Sequence, residues 1–333
     1  MSDESATVAT TGAGRGDLDL EPALEGHRRE LTGYCYRMLG ASSEAEDAVQ
    51  ETMVRAWQAY DRFEGRSSLR SWLYRIATNV CLDMHRSPQR RARPMDMGPS
   101  TPTADVVLVA QLPELTFVQP VLDARVIDLG ADPGEVVTAR ESIRLAFVSA
   151  LQHLPARQRS ALILCDVLRW PAVEAAQVLG LTVAAINSAL QRARATLDRH
   201  RGEQLDTTVS PQDRALLARY VDAFERYDID ALVELMRQDV VMSMPPWPMW
   251  LQGPSELADW FTGQGIVCRH GRLLPVQVNG TAGFGNYHFV GPGRWEPWAI
   301  QVVEVAEGKI VGHHNFLYPE RFADFGLPDQ ILA

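Results

Sequence analysis

The sequence predicts a multidomain chain in which two all-α helical domains are followed by an α+β domain. Three observations predict this order. Residues 27–93 and 140–201 carry net charges of +4 and +5, although the 333-residue chain as a whole carries −10. Both basic segments repeat apolar residues at the three- and four-residue spacing of a helix. Beyond residue 211, short apolar runs of strand-like composition follow one further helix, so the third domain mixes both kinds of element.

Composition excludes several protein classes. Apolar residues make up 46% and charged residues 22% of the chain, which is typical of folded globular proteins. The four cysteines form no CxxC pair, so neither a disulfide framework nor a zinc site is predicted. No apolar run reaches the ~18 residues of a membrane helix, and the N-terminus does not resemble a signal peptide. We therefore expect a cytoplasmic protein without membrane contact, and we predict no cofactor and no metal.

Shifts in composition divide the chain into six segments. Residues 87–139 hold seven prolines and a strong acidic excess, which favours an extended linker. The apolar run from Leu108 to Val126 within it could still dock locally. The predicted segments are an acidic flexible N-terminus (1–26), a first helical domain (27–93), an acidic Pro-rich linker (94–138), a second helical domain (139–201), a joint (202–210) and the α+β domain (211–333).

One helix of the first domain has an amphipathic pattern over residues 46–57. Its spacing predicts an apolar stripe that faces the core and a polar face that points outward. The inward residues are Val49, Met53, Ala56 and Trp57, and the outward residues are Asp47, Gln50, Glu51 and Arg55. An exposed face of acidic and amide groups suits a basic protein partner, although most such faces are only solvated.

A second helix, over residues 67–83, alternates aromatic and basic side chains. Aromatic rings can stack on unpaired bases while arginines hold phosphates, so this pattern suits single-stranded nucleic acid. The same pattern also fits core aromatic residues with a solvated basic edge.

The second helical domain has the pattern of a helix-turn-helix. One predicted helix starts at Trp170-Pro171 and ends at Leu179, and another runs to about Arg199. Gly180 permits a tight turn between them, and Thr182 is a suitable N-cap for the second.

The last helix of this domain separates apolar from polar residues. The predicted inward residues are Val183, Ile186, Leu190 and Leu197, and the residues away from that stripe are Asn187, Ser188, Gln191, Arg192 and Arg194. Amide, hydroxyl and guanidinium groups of this kind can read base edges in the major groove. An ordinary helical hairpin with a charged face would show the same pattern.

Taken in order, the two helical domains resemble a known family. Residues 27–86, which include EDAVQETMVRAW and FEGRSSLRSWLYRIATNVCLDMHR, resemble region two of the extracytoplasmic-function sigma factors of the sigma-70 family. Residues 139–200 resemble region four. The resemblance implies two partners, which are RNA polymerase core, through its β′ clamp helices and β flap, and promoter DNA.

The resemblance also implies three sets of contact residues. The polymerase-binding set is Asp47, Gln50, Glu51, Arg55 and Trp57; the minus-10 set is Arg70, Trp72, Arg75, Asn79, Asp83 and Arg86; the minus-35 set is Thr182, Asn187, Ser188, Gln191, Arg192 and Arg194. In the family, basic residues often stand at the positions of Asn187 and Ala189. We therefore expect fewer phosphate contacts from this helix and a smaller salt-dependent affinity.

Residues 211–333 resemble the SnoaL-like domains, in which a curved mixed sheet and helices form a cone around a pocket. The matching stretches include YVDAFERYDIDALVELMRQDVVMSMPP and HHNFLYPERFADFGLP. The residues of a possible ligand pocket are Trp247, Trp250, Trp260, His288 and His313. An aromatic pocket would bind a small apolar or aromatic ligand, whereas the alternative is that these residues complete the core.

SnoaL-like cyclases use a carboxylate or histidine of the pocket as acid or base. The candidates here are Asp239, His288, Glu304, His313 and His314, and none lies in a motif that assigns a catalytic role. His313 and His314 are adjacent, so on a strand they point to opposite faces and cannot both line one pocket.

We therefore predict a non-enzymatic sigma factor whose activity is modulated by its C-terminal domain. Residues 202–333, which comprise the joint and that domain, carry a net charge of −8, and the domain is expected to pack against the two basic domains or to fix their orientation. The alternative is a SnoaL-like isomerase, cyclase or hydrolase fused to a DNA-binding module. A repressor that never contacts polymerase is a weaker alternative, because segment 46–57 resembles a polymerase-binding helix.

Overall fold

The computed structural model describes residues 20–84, 91–108, 110–200 and 210–333. The first domain is a bundle of four helices, α1 (Leu20–Glu25), α2 (Arg28–Leu39), α3 (Ser42–Ala59) and α4 (Leu69–Met84). Arg86, most of the predicted joint 202–210 and residues 1–19 of the predicted N-terminal segment lie outside the described residues.

The inward stripe predicted for α3 is correct except at one position. Val49 and Ala56 are fully buried, whereas Trp57 is 59% exposed. At 100° per residue, Trp57 lies roughly 80° around the helix from Val49, and Ala56 lies within roughly 20° of it. The prediction of an inward Trp57 was therefore wrong, and its ring is part of the outer surface.

The acidic Pro-rich segment has little regular structure but is packed against all three domains. It contains the short helix α5 (Asp123–Val126) and single 3₁₀ turns. Phe117, Val118 and Val121 are buried. The backbone N–H of Thr101 donates to the carbonyl of Trp250 (2.9 Å), so the segment also bonds to the third domain. Burial of its apolar residues explains why it does not extend through solvent.

The second domain contains α6 (Pro133–Glu141), α7 (Leu145–Gln152), α8 (Ala156–Leu162, continued by a π turn), α9 (Ala172–Leu179) and α10 (Val183–His200). Helices α9 and α10 form the predicted helix-turn-helix. Gly180 adopts a left-handed conformation with φ of 64°, and the Thr182 hydroxyl accepts from the N–H of Ala185 (3.2 Å) as an N-cap.

The inward face of α10 differs from prediction at its first residue. Ile186, Ala189 and Ala193 are buried, but Val183 is 39% exposed. Val183 is the first residue of α10, and its side chain is exposed although its spacing continues the apolar stripe. The expectation of an inward Val183 was therefore wrong.

The third domain combines three helices with a seven-stranded sheet. The helices are α11 (Pro211–Arg226), α12 (Ile229–Glu234) and α13 (Pro254–Thr262), and the strands are β1 (Met236–Ser243), β2 (Trp250–Gln252), β3 (Arg272–Val278), β4 (Thr281–Gly291), β5 (Arg294–Ala306), β6 (Lys309–Phe316) and β7 (Ile331–Leu332). The strand order is β2-β1-β6-β5-β4-β3, with β7 against β5. Only the β1–β6 pair is parallel among the described strands.

The two faces of this sheet belong to different cores. One face packs on α11 to α13 through residues such as Tyr220, Phe261 and Phe284. The other face contributes Tyr287 and Phe316 to a core that continues through the linker and both helical domains. The sheet is therefore covered on one side by α11 to α13 and on the other by the C-terminal segment of its own domain, which includes Phe322, together with the linker and both helical domains.

Among the described residues, no single helix has the length and apolar character needed to cross a membrane. Helices α9 and α10 meet those criteria only as a pair, across a bend of 99°.

Candidate polymerase and promoter interfaces

The predicted polymerase-binding residues lie on one side of α3. Asp47, Gln50, Glu51 and Trp57 are exposed and Arg55 is partly exposed. They occupy an arc of roughly 160° of the helix surface. An exposed indole beside carboxylates gives this surface both an apolar anchor and an acidic rim.

This surface contains ion pairs of Arg55 and a groove beside Trp57. Arg55 donates to Glu51 (2.6 Å) and lies 3.5 Å from Asp83 on α4, and the hydrogen bond to Glu51 raises the pKa of Arg55. A groove of about 420 Å³ runs beside Trp57 and is lined by Leu24 and Met53. The groove gives the surface a concave, partly apolar region beside the exposed indole.

The predicted minus-10 residues on α4 fall into two groups. Arg75, Asn79 and Asp83 are exposed and follow one another at four-residue spacing along the helix. Arg70 is partly buried, and its guanidinium donates to Glu30 (2.7 Å). Trp72 is also partly buried.

Two of these residues contact the second domain. The Arg70 guanidinium lies 4.7 Å from the ring centroid of Trp170. Arg75 donates to the backbone carbonyl of Gln177 on α9 (2.5 Å). Part of the predicted minus-10 surface is therefore covered by the helix-turn-helix domain.

An aromatic cluster beside α4 was missed by sequence reasoning. The rings of Tyr60 and Phe63 stack at 6.2 Å, and Phe63 lies 4.9 Å from the ring of Trp72. Residues 64–68, which follow Phe63, are exposed. The spacing of aromatics in YDRFEGRSSLRSW was the available signal, because rings flanking an exposed loop suit base stacking.

The predicted minus-35 residues are all exposed on α10. Thr182 is the N-cap of α10, whereas Asn187, Ser188, Gln191, Arg192 and Arg194 lie on α10 outside its buried stripe, and all six are exposed. Arg194 makes a bidentate ion pair with Asp166 (2.8 and 2.7 Å). The hydrogen bonds to Asp166 raise the pKa of Arg194. Asn187 and Gln191 each present an exposed amide, a group that can pair with the edge of adenine.

A buried arginine forms hydrogen bonds between the two helical domains. Arg159 on α8 is fully buried and donates to the backbone carbonyl of Met38 and to the side-chain oxygen of Gln152 (2.7 Å). The amide of Gln152 donates in turn to the carbonyl of Arg37 (3.4 Å). These carbonyls end α2 and carry its partial negative charge, so they accept a cation well.

The β3–β4 turn joins the third domain to the other two. Asn279 is buried, and its side-chain oxygen accepts from the N–H of Val121 in the linker (3.0 Å). Its amide nitrogen donates to the Tyr36 hydroxyl and to the carbonyl of Ile143, both at 2.7 Å. One side chain therefore contacts the first domain, the linker and the start of the second domain. We call the pair Asn279 and Gly280 the hairpin latch.

Gly280 completes the latch. Its N–H donates to the carboxylate of Asp123 (2.8 Å), and burial raises the pKa of Asp123 to about 6. A Cβ atom at Gly280 would lie 2.4 Å from the carbonyl oxygen of Arg140, and its φ is 68°. Both the positive φ and the close approach require glycine here.

Inside the third domain, a hydrogen-bonded chain surrounds His313. The hydroxyl of Tyr220 donates to Gln301 (2.9 Å) and lies 2.8 Å from His313 Nε2. The amide of Asn315 lies 3.0 Å from His313 Nδ1. Burial lowers the pKa of His313 to about 3, so the ring is neutral. His314 points to the other face, as predicted, where it contacts Ser243 (2.9 Å).

The five residues of the predicted ligand pocket lie in different surroundings. Trp247 and Trp260 pack in the core formed with α11 to α13. The indole N–H of Trp250 donates to the carbonyl of Gly98 in the linker (2.9 Å). His288 stacks on Trp298 at 4.1 Å, and burial lowers its pKa to about 4. These contacts do not bring the five side chains together as one lining.

The other candidate acids and bases already contact charged or titratable side chains of the protein. Asp239 is exposed and pairs with Arg237 (2.6 Å). Glu304 is buried on the far face of the sheet, 3.5 Å from His314 Nε2. Among the described residues, no group of three or more His, Cys, Asp or Glu side chains is arranged to hold a metal ion.

Comparison with known proteins shows the family to which this chain belongs. Family models match residues 23–91 (Sigma-70 region 2), 144–197 (Sigma-70, region 4) and 217–313 (SnoaL-like domain). The chain is 42% identical over 323 residues to the ECF RNA polymerase sigma factor SigG of Mycobacterium tuberculosis (strain ATCC 25618 / H37Rv), which covers 95% of this chain and 85% of that one. It is 26% identical over 320 residues to SigJ of the same strain, covering 92% and 94%.

A solved structure shows a similar fold. The crystal structure of M. tuberculosis SigJ matches 94% of this chain and 100% of that chain, with a TM-score of 0.58 and 23% identity. Together, the matches confirm the predicted fold class of two helical sigma domains and a SnoaL-like α+β domain. This chain belongs to the ECF RNA polymerase sigma factors.

Proposed function

We propose that this sigma factor docks on the polymerase clamp helices through the outward face of α3. Its partners are those of its family, RNA polymerase core and promoter DNA, and it acts in the cytoplasm, where both are found. The observation that supports this proposal is the exposure of Asp47, Gln50 and Glu51 around the indole of Trp57. A basic helix of the partner would pair with the carboxylates while its apolar side chains cover the ring.

The minus-10 element is opened by capture of unpaired bases. Arg75, Asn79 and Asp83 supply polar groups along α4, and the ring cluster of Phe63 and Trp72 supplies stacking surfaces. Stacking contributes about 1–3 kcal/mol per base. This free energy offsets base-pair opening without nucleotide hydrolysis by the sigma factor. The polymerase supplies the chemistry of RNA synthesis.

The minus-35 element is read by α10. Asn187 and Gln191 face outward with Arg192, and their amides match the edge of adenine. The β flap is the expected support for this domain when it lies on DNA. Because few cations surround these amides, tethering through polymerase supplies part of the affinity.

The described arrangement is a closed state that cannot occupy both promoter elements. Their centres are about 25 base pairs apart, or about 85 Å at 3.4 Å per base pair. Arg75 of the minus-10 surface is bonded to α9, and α10 follows α9 after three residues. The two helical domains must therefore separate before initiation, and the contacts of Arg159, Arg70 and Arg75 must break.

The SnoaL-like domain modulates this opening through the hairpin latch. Asn279 bonds to Tyr36, Val121 and Ile143, which belong to the first domain, the linker and the entry to the second domain. Release of this one turn breaks the hydrogen bonds of Asn279 to all three parts at once. The domain therefore acts as a built-in regulator of the sigma modules.

We assign the third domain no catalytic step. Tyr220, His313, Gln301 and Asn315 satisfy one another's hydrogen bonds when the imidazole is neutral with its proton on Nε2. A base that is already bonded at both nitrogens has no lone pair to accept a substrate proton. A small-molecule ligand of this domain stays a prediction.

Run-off transcription with purified core polymerase tests the proposed function. The wild-type chain or its Asn279→Ala variant should direct initiation at a defined start site. Asp47→Arg should abolish initiation, whereas the control Asp222→Arg, an exposed carboxylate on α11, should not. Failure of both the wild type and the latch variant to direct specific initiation would refute the proposal.

A further inference from the structure

The linker residue Arg125 connects the polymerase-binding helix to the SnoaL-like domain. Its guanidinium contacts Glu46 on α3 through Nη1, and its Nη2 lies 3.8 Å from Asp324 of the third domain. We propose that polymerase docking displaces Arg125 from Glu46 and thereby weakens the packing of the third domain against the rest of the chain. This proposal rests on the polymerase-binding role proposed for α3. Arg125 is a positioning residue that couples the two events.

Further contacts tie the same end of α3 to the third domain. Arg321 pairs with Asp324 and with Glu114 of the linker, both at 3.2 Å. Gln119 donates to Glu114 (2.6 Å) and accepts from the hydroxyl of Ser43 (3.2 Å) at the start of α3. A continuous polar network therefore runs from the first turns of α3 through the linker to the third domain.

This network borders the surface where polymerase is expected to bind. Glu46 and Gln50 are four residues apart on α3 and therefore share one face of the helix. Both line a groove of about 480 Å³, and the linker residues Ala124 and Arg125 line it from α5. A partner that seats on Gln50 consequently reaches the Glu46–Arg125 pair.

The charge of the surface defines the partner group that competes. With Asp47 and Glu51 exposed beside it, Glu46 belongs to an acidic face that suits a Lys- or Arg-bearing helix. A cation of that helix repels Arg125 and competes with it for the Glu46 carboxylate. Docking of a basic helix therefore favours release of Arg125.

The exposure of the three groups makes this exchange possible. The side chains of Glu46, Arg125 and Asp324 are 43%, 36% and 37% exposed. Ion pairs with this degree of exposure are weak, because water competes for each partner. A coupling of this kind is reciprocal, so a docked third domain weakens polymerase binding by the same factor by which polymerase weakens docking.

The test is the affinity of the full chain for core polymerase, measured by fluorescence anisotropy of a labelled sigma factor. Arg125→Ala and Asp324→Asn should each tighten binding about two- to fivefold, the factor that one half-exposed ion pair supplies. In a Glu46→Gln background, the Arg125→Ala substitution should have no further effect. Arg226→Ala is the matched control, because Arg226 pairs only with Asp222 and Asp228 within the third domain among its described ion pairs.

A second readout reports on the third domain. Hydrogen exchange at Asn279 and Gly280 should accelerate when core polymerase is added to the wild type, and it should already be faster in free Arg125→Ala. Melting curves of each variant confirm that it is folded. If the wild type binds core but Arg125→Ala binds no more tightly than Arg226→Ala, the coupling is refuted and the proposed function stands. If the wild type does not bind core at all, the proposed function fails and the coupling fails with it.

Discussion

Substitution of Asn279 by alanine is the most direct perturbation of the contact between the sigma modules and the SnoaL-like domain. The side chain makes three hydrogen bonds in a buried site. Its removal leaves the N–H of Val121 and the carbonyl of Ile143 without these partners, whereas the Tyr36 hydroxyl still donates to the carbonyl of Gln119 (2.8 Å). Two unsatisfied buried backbone groups cost about 2–6 kcal/mol in total.

The assay is hydrogen exchange of the full chain followed by mass spectrometry. At about 1.4 kcal/mol per factor of ten, a loss of 2 kcal/mol increases the undocked fraction about 30-fold. Exchange at the amides of Val121 and Gly280 should accelerate by at least that factor in Asn279→Ala. Run-off transcription by the variant should also differ from that of the wild type.

A second hairpin in the same domain supplies the control. Glu307 and Gly308 form the two-residue turn between β5 and β6, and Glu307 has φ of 52°, close to the 51° of Asn279. Glu307 is exposed, so Glu307→Ala imposes the same backbone strain without removing interdomain hydrogen bonds. The reasoning is refuted if the Val121 amide of Asn279→Ala exchanges at the wild-type rate. It is also refuted if exchange at that amide accelerates equally in Asn279→Ala and Glu307→Ala.

Three further predictions address the interfaces and the pH dependence. The double variant Asp47→Arg with Glu51→Arg should weaken binding to core polymerase at least tenfold in a pull-down titration, because two attractive charges become repulsive; retained affinity would move the docking surface elsewhere. Gln191→Ala should weaken the free energy of binding to a minus-35 duplex by about 1–3 kcal/mol in an anisotropy titration and relax the base preference. Arg192→Ala should instead lower the slope of log K against log salt by about 1. The pKa of Asp123 is raised by burial to about 6 from 3.8, so its contribution to stability is complete below about pH 4 and is lost as the pH rises through 6. The melting temperature of Asp123→Asn relative to wild type should therefore increase between pH 4.5 and 7.5, and a constant difference would contradict this.

Local patterns predicted most of the secondary structure. The helix-turn-helix and the helix that begins the third domain were predicted correctly, because each depends on periodicity and on a turn or capping residue within a few positions. The errors at Trp57 and Val183 arose where an apolar residue continued a pattern but no neighbouring element covered it. Burial depends on the neighbour as well as on the spacing.

Contacts between distant segments could not be predicted from the same patterns. The Asn279-Gly280 dipeptide predicts a tight turn, but its bond to Tyr36 joins residues 243 positions apart. The contact of Arg75 with Gln177 spans 102 positions. The residue types of the proposed interfaces stay a prediction from the sequence, whereas the contacts of Arg70 and Arg75 with the second domain depend on tertiary packing.

The two proposed promoter surfaces differ in their contacts with neighbouring domains, and this difference has a consequence for the order of binding. The amides of Asn187 and Gln191 on α10 are exposed in the closed state, whereas Arg70 and Arg75 are held by Trp170 and α9. Contact with duplex DNA at the minus-35 element therefore requires no prior opening of the domains, and capture of minus-10 bases does. Polymerase docking on α3, whose outward face is also exposed, can precede opening as well. In the proposed function, separation of the two helical domains is therefore the step on which strand capture depends, and the hairpin latch is proposed to oppose that step.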